Sequence, residues 1–264
     1  MKQAPENLLL HSFDSSVSVD QLPVQFTFPF DYTPHRLSLL AARGLQEHLS
    51  TQQDWDHHFG LSGENDRVSG KMFGVLVVRT PENSIGYLAA FSGKLAGSNH
   101  HAKFVPPVYD GLADDGFLNT GMTELSRMNE AIKVLKLQQS EQEREQIALL
   151  KDIRKKHSVR LQSKIFDHYH FLNRAGEEKG LRLIFDDASY KNPPAGAGEC
   201  AAPKLLQYAF QHRLEPLAMA EFWWGLSPKS AHWKHGHFYP ACQEKCAPIL
   251  SHMLAGMNIE KPAR

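Results

Sequence analysis

The placement of three cysteines constrains this chain more than any other feature. Cys200 stands alone and Cys242 and Cys246 are separated by three residues, all in the last quarter of the sequence. An odd number in a chain read as cytosolic argues against a disulfide framework. A metal such as zinc needs three or four soft or borderline ligands held tetrahedrally, and thiolates supply both the charge and the geometry. The sequence predicts a helix over 199–210 with Pro203 in its first turn, and a second helix opened by Pro240-Ala241-Cys242 and running to Leu254. Cys200 then lies at one helix N-terminus, and Cys242 and Cys246 span one turn at the other. Both positions lower a thiol pKa and favour the ligand form. If the sulfurs share one cation, Zn2+, two helix starts far apart in sequence must meet. His237, His235 or a water is the candidate fourth ligand. The competing reading is three buried, inert thiols.

Composition narrows the function classes. Hydrophobic residues make up 42% and charged residues 22% of the 264, as in an ordinary globular chain. Lys+Arg 29 balances Asp+Glu 29, which excludes gripping nucleic acid by bulk charge but leaves room for a local basic patch. The opening residues lead only into Leu8–Leu10, too short for a signal-peptide core, and no run of membrane-spanning length occurs. The expected compartment is the cytoplasm, with no membrane partner.

Three modules are expected. Residues 1–120 hold an irregular arm broken by Pro23, Pro29 and Pro34, then a helix with Leu37, Leu40, Ala41, Gly44, Leu45 and Leu49 on one face. Two β-rich runs follow, Met72–Val78 and Ile85–Phe91, and the turn-rich link between them favours an antiparallel hairpin. Residues 121–178 read as a charged helical insertion with two apolar stripes separated by the wholly polar Gln138–Gln146, either one long coiled-coil-like helix or a helical hairpin. Residues 179–264 form the cysteine module packing on the first, with strand candidates Leu181–Phe185 and Leu217–Gly225. The fold class is α/β (α+β).

Two stretches could contact RNA. Between Glu221 and Tyr239 the aromatics Trp223, Trp224 and Trp233 alternate with Lys229 and Lys234, a pattern suited to base stacking and phosphate contact. Arg154, Lys155, Lys156 and Arg160 form a basic flank on the predicted helix. The competing readings are core tryptophans and a solvated helix face. Phosphate-binding, dinucleotide-binding, nucleophile-elbow and His-Glu-x-x-His motifs are absent from the sequence.

The order helix, hairpin, Cys200 helix, strand, Cys242/Cys246 helix resembles the cytidine-deaminase-like zinc fold, with a mixed sheet and flanking helices. That pattern places a proton-shuttling Glu two residues after the first ligand. Here Ala202 stands there, and Glu199, on the other side of Cys200, is the adjacent catalytic candidate. The resemblance implies a zinc-dependent nucleobase or nucleoside deaminase-like hydrolase.

A longer resemblance is carried by Phe28–His35, Gly70–Val78, Gly86–Leu95, Phe104–Asp110, Gly198–Leu206 and Phe238–Cys242. These blocks, spanning about residues 22 to 256, look like the amino-terminal region of long bacterial RluA-type pseudouridine synthases. In that family a following domain carries the catalytic His-Arg-Leu-Asp. Here His35-Arg36-Leu37 is followed by Ser38 and His212-Arg213-Leu214 by Glu215, so isomerase catalysis is not expected of these residues. The resemblance implies an RNA-binding or RNA-positioning accessory module for rRNA or tRNA, with a separate synthase as a possible partner. The remaining alternative is a structural interaction module that docks through its helical insertion.

Overall fold

The computed structural model describes residues 8–61, 69–111, 116–137, 140–190, 192–228 and 232–261. They group into two compact units, one of residues up to Val108 together with His170 onward, the other Tyr109–Tyr169. The expected first and third modules therefore share one body. The cause is a single sheet that takes strands from both.

Helix α1 (Arg36–Thr51) starts two residues after Pro34, with the His35 ring accepting the Leu37 N–H as its cap. Strands β1 (Lys71–Arg79) and β2 (Ile85–Phe91) form the expected antiparallel hairpin, pairing Phe73 with Phe91 and Arg79 with Ile85. Strand β5 (Glu215–Trp224) pairs antiparallel with the other edge of β1, and the short β6 (Phe238–Tyr239) pairs antiparallel with β5. The order β2-β1-β5-β6 is antiparallel throughout, so the expected mixed sheet is corrected. A second small sheet joins β3 (His170–Leu172) to β4 (Glu178–Gly180).

Both faces of the central strands are covered, which is why β1 and β5 read as nearly continuous apolar runs. On one face Phe73, Val75, Val77, Ala89, Phe91, Ala220 and Phe222 meet Leu37, Ala41, Ala42, Leu45 and Leu49 of α1. Leu40 points outward, against the expected stripe. On the other face α5 (Ala201–Gln211) lies against β1, and α6 (Gln243–Met253) packs beside α5. The N-terminal arm is tied down by backbone bonds from Phe26 to Asn258 and from Ala241 to Pro29.

Leu181–Phe185 is not a strand. It lies in helix α4 (Leu181–Asp187), which follows Gly180 and buries Leu181, Ile184 and Phe185 while Leu183 faces outward. The i, i+3, i+4 pattern decides, and five residues were too few to reveal it against a strand reading.

In the second unit α2 (Phe117–Leu135) and α3 (Glu141–His168) form an antiparallel helical hairpin. Glu124 faces His157 at 3.2 Å and Asn129 accepts from Arg154 at 2.8 Å. Ser140 and Glu143 make a capping box that starts α3 afresh. Gly121 and Ile132 of α2 and Leu161 and Phe166 of α3 are the buried positions, while Leu149 and Ile153 are exposed. A coiled-coil seam is therefore not shown. Among the described residues no helix is long and apolar enough to cross a membrane.

Gly74 sets how closely α5 approaches the sheet. A Cβ there would lie 2.9 Å from Ala201 Cβ and 3.1 Å from Leu205 Cδ1. Gly74→Ala should cost about 1–3 kcal/mol in chemical denaturation, because Ala201 Cβ is fixed to the α5 backbone and both neighbours are fully buried. An unchanged midpoint would show that α5 is not packed this tightly.

Candidate metal centre

Cys200 caps the N-terminus of α5 and Cys242 that of α6, with Cys246 one turn further on. The three sulfurs all lie within 4.8 Å of one another, and those of Cys242 and Cys246 are 3.5 Å apart. Among the described residues this group of ligand atoms consists of the three thiols and takes in neither His237 nor Glu199. They could hold one metal ion. Cys242 is exposed, Cys200 half-buried and Cys246 buried, so the cluster opens to solvent on one side.

Three thiols this close titrate as a group. The Cys242 thiol is pulled well down by its hydrogen bonds with Cys200 and then Cys246, against its burial, and further by the Lys245 and Cys246 N–H groups. The hydrogen bond with Cys242 pushes Cys200 up to about 12, against the opposing bond with Cys246, and the bonds with both neighbours raise Cys246. A cation would take the place of the protons the sulfurs now share.

The carboxylate beside the sulfurs comes from β5. Glu221 is buried, its Oε1 accepts the Ala202 N–H at 3.3 Å, and its charge raises Cys200 and Cys246. Burial pushes its carboxyl up to about 7, the Ala202 N–H opposes the rise, and the Cys242 charge adds to it. Its own N–H donates to Tyr32 Oη at 3.0 Å, and that hydroxyl donates to the Tyr239 carbonyl at 3.1 Å. Sequence reading had passed over Glu221; an acidic residue inside the apolar run Leu217–Trp224 was the available signal.

Glu199 lies elsewhere. Its carbonyl accepts the Gly93 N–H at 2.9 Å, and its carboxylate charge supports Lys71 and Lys204. Lys204 is buried, donates to the Phe91 and Gly93 carbonyls at 2.9 and 3.1 Å, and is lowered by burial to about 8. His235 Nδ1 accepts the Gly225 N–H at 2.9 Å, which commits it to the loop after β5. His237 is exposed, and its carbonyl accepts from Trp223 N–H at 2.9 Å.

Of the candidate RNA-contacting residues, Trp223 is buried, stacks on Trp233 at 5.3 Å, and donates its indole N–H to Gly225. Trp224 packs against Phe222 and His235. The indoles thus spend part of their faces on one another and on the loop. Lys234 is exposed, and Lys229 lies outside the described residues. Arg154, Lys155, Lys156 and Arg160 are all exposed on α3, but 3.6-residue periodicity spreads them around the helix. Arg154 binds Asn129, and Lys156 pairs with Asp152 at 2.7 Å. No protein-family model, curated protein or solved structure gives a significant match to this chain.

Two outcomes follow from this geometry. Cobalt(II) titration should give a thiolate-to-metal charge-transfer band saturating at about one ion per chain, lost in Cys200→Ser. In the metal-free protein, Glu221 has a raised folded value, so its contribution is complete below about pH 4.5 and is lost as the pH rises through about 7. Wild type should therefore lose stability relative to Glu221→Gln between about pH 5 and pH 8 in denaturant titrations. A constant gap would mean that the carboxyl is not buried beside the sulfurs.

Proposed function

We propose that these residues form a zinc-binding accessory module serving RNA modification. The observation that carries the metal is the convergence of three sulfurs from two helix starts to within 4.8 Å. Zinc–sulfur bonds of about 2.3 Å in a tetrahedron set sulfurs roughly 3.8 Å apart, close to the spacing here. Bound zinc would pin the starts of α5 and α6 together beneath the sheet, and three protein ligands would leave a fourth position for water or a further group.

The RNA reading rests on the resemblance to the amino-terminal region of RluA-type pseudouridine synthases. It is supported by exposed Lys234 and by exposed cations on α3. On this reading its partner is rRNA or tRNA, and the isomerisation belongs to a synthase domain outside these residues. Such contacts should be weak and salt-sensitive, losing roughly tenfold in affinity between 50 and 200 mM salt. In filter-binding assays Lys155→Ala/Lys156→Ala/Lys234→Ala should flatten that slope. Binding that ignores both salt and these changes would contradict the reading.

A second reading is favoured by Glu221. A protonatable carboxyl beside a three-thiol centre suits hydrolysis of a nucleobase exocyclic amine: the three cysteines would hold zinc, which would supply water activation, and Glu221 would carry the proton. Glu221 would then hold the role that the sequence suggested for Glu199. Ammonia release from a cytidine and adenosine panel should be abolished in Glu221→Gln with zinc retained, and unchanged in Glu199→Gln. Loss in the Glu199 variant alone would reverse the assignment.

A further inference from the structure

The far end of α5 carries a second feature, independent of the cysteines. The helix stops in a Schellman turn: Leu214 N–H bonds the Ala209 carbonyl at 2.8 Å and Arg213 N–H the Phe210 carbonyl at 3.2 Å. The residue after the cap in such a turn adopts left-handed backbone and is usually glycine, because a Cβ is strained there. Here it is Arg213, at φ 56°. Arg213 also lines a cavity of about 530 Å³.

Arg174, in the turn between β3 and β4, lines the same cavity. Its position is fixed from both sides. Asn173, buried, accepts the Glu177 N–H at 3.0 Å and donates to the Glu177 carboxylate at 2.8 Å, closing the turn. Buried Gln207 of α5 accepts the Leu172 N–H at 2.9 Å, locking the hairpin to the helix that ends at Arg213. A Cβ on Gly176 would meet nothing within 4 Å, so the turn backbone is open to a close approach.

The nearby acids are committed. Glu177 is held by Asn173, and Glu215 pairs with Arg79 at 3.2 Å. Neither Arg174 nor Arg213 has an ion pair or hydrogen-bonded side-chain partner among the described residues. Phe210, Leu214 and Pro216 give the cavity an apolar wall. Two planar guanidiniums match the oxygens of a phosphate monoester, and an aromatic wall matches a planar ring. The volume falls in the range of small-ligand sites.

We propose that this cavity binds a nucleoside monophosphate unit, phosphate between Arg174 and Arg213 and base against Phe210. The unit could be a free nucleotide or the phosphorylated end of an RNA strand. Neither the metal nor the accessory-module reading is needed for it.

Calorimetric titration of the full chain with uridine 5′-monophosphate, uridine and a 5′-phosphorylated octauridylate tests the assignment. Uridine should bind at least about tenfold more weakly than its monophosphate, and inorganic phosphate should compete. Arg174→Gln/Arg213→Gly should lose about tenfold or more for the monophosphate. Arg213→Gly alone should raise the melting temperature by about 2–4 °C, since it relieves the left-handed strain, which shows that lost binding is not lost folding. Tighter binding of the octamer assigns the strand end, and equal binding assigns the free nucleotide. Undetectable monophosphate binding, uridine binding as well as its phosphate, or full affinity in the double variant overturns the proposal.

Discussion

The close approach of α5 to strand β1 is the constraint from which the rest of this structure follows. Gly74 offers no side chain at the crossing, so Ala201 and Leu205 sit directly on the strand. That contact brings Cys200 down to the level of Glu221 on the neighbouring strand. Helix α6, packed beside α5, then delivers Cys242 and Cys246 to the same place. Widening the α5–sheet gap would separate the sulfurs and uncover the buried carboxyl together.

Electrostatics at the centre is an economy of shared protons. Three thiols and a buried carboxyl lie among helix N-termini, whose free N–H groups favour anions. Among the thiols Cys242 is pulled down while Cys200 and Cys246 are raised, and burial holds the carboxyl above its usual range. A divalent ion would balance several negative charges at once. The lysines on the other side of the α5 start, Lys71 and Lys204, serve the Phe91–Gly93 carbonyls instead, with Glu199 as their counter-charge.

Much of this was legible in the sequence, for identifiable reasons. The α1 stripe, the β1–β2 hairpin, α5 and α6 have periodic or β-branched patterns long enough to settle their type, and β5 is a short apolar run ending in aromatics. The cysteine convergence was legible because three thiols at two helix starts match a shared metal site in ligand type and spacing. Sheet order and the pooling of first and last segments into one body were not, since strand pairing is a long-range choice. Leu181–Phe185 was too short for its period to show. The break between α2 and α3 did have a local signal in Ser140-Glu141-Gln142-Glu143, a capping-box sequence inside the polar stretch. Glu221 lay hidden because a strand places it by tertiary pairing, whereas Glu199 is close to Cys200 in the chain yet turned to the lysines.

Zinc K-edge X-ray absorption on the purified chain tests the central claim most directly. The account predicts three sulfur scatterers at about 2.3 Å and one lighter oxygen or nitrogen neighbour around a single ion. A spectrum without sulfur neighbours, or a chain that takes up no zinc when its thiols are kept reduced, would contradict it.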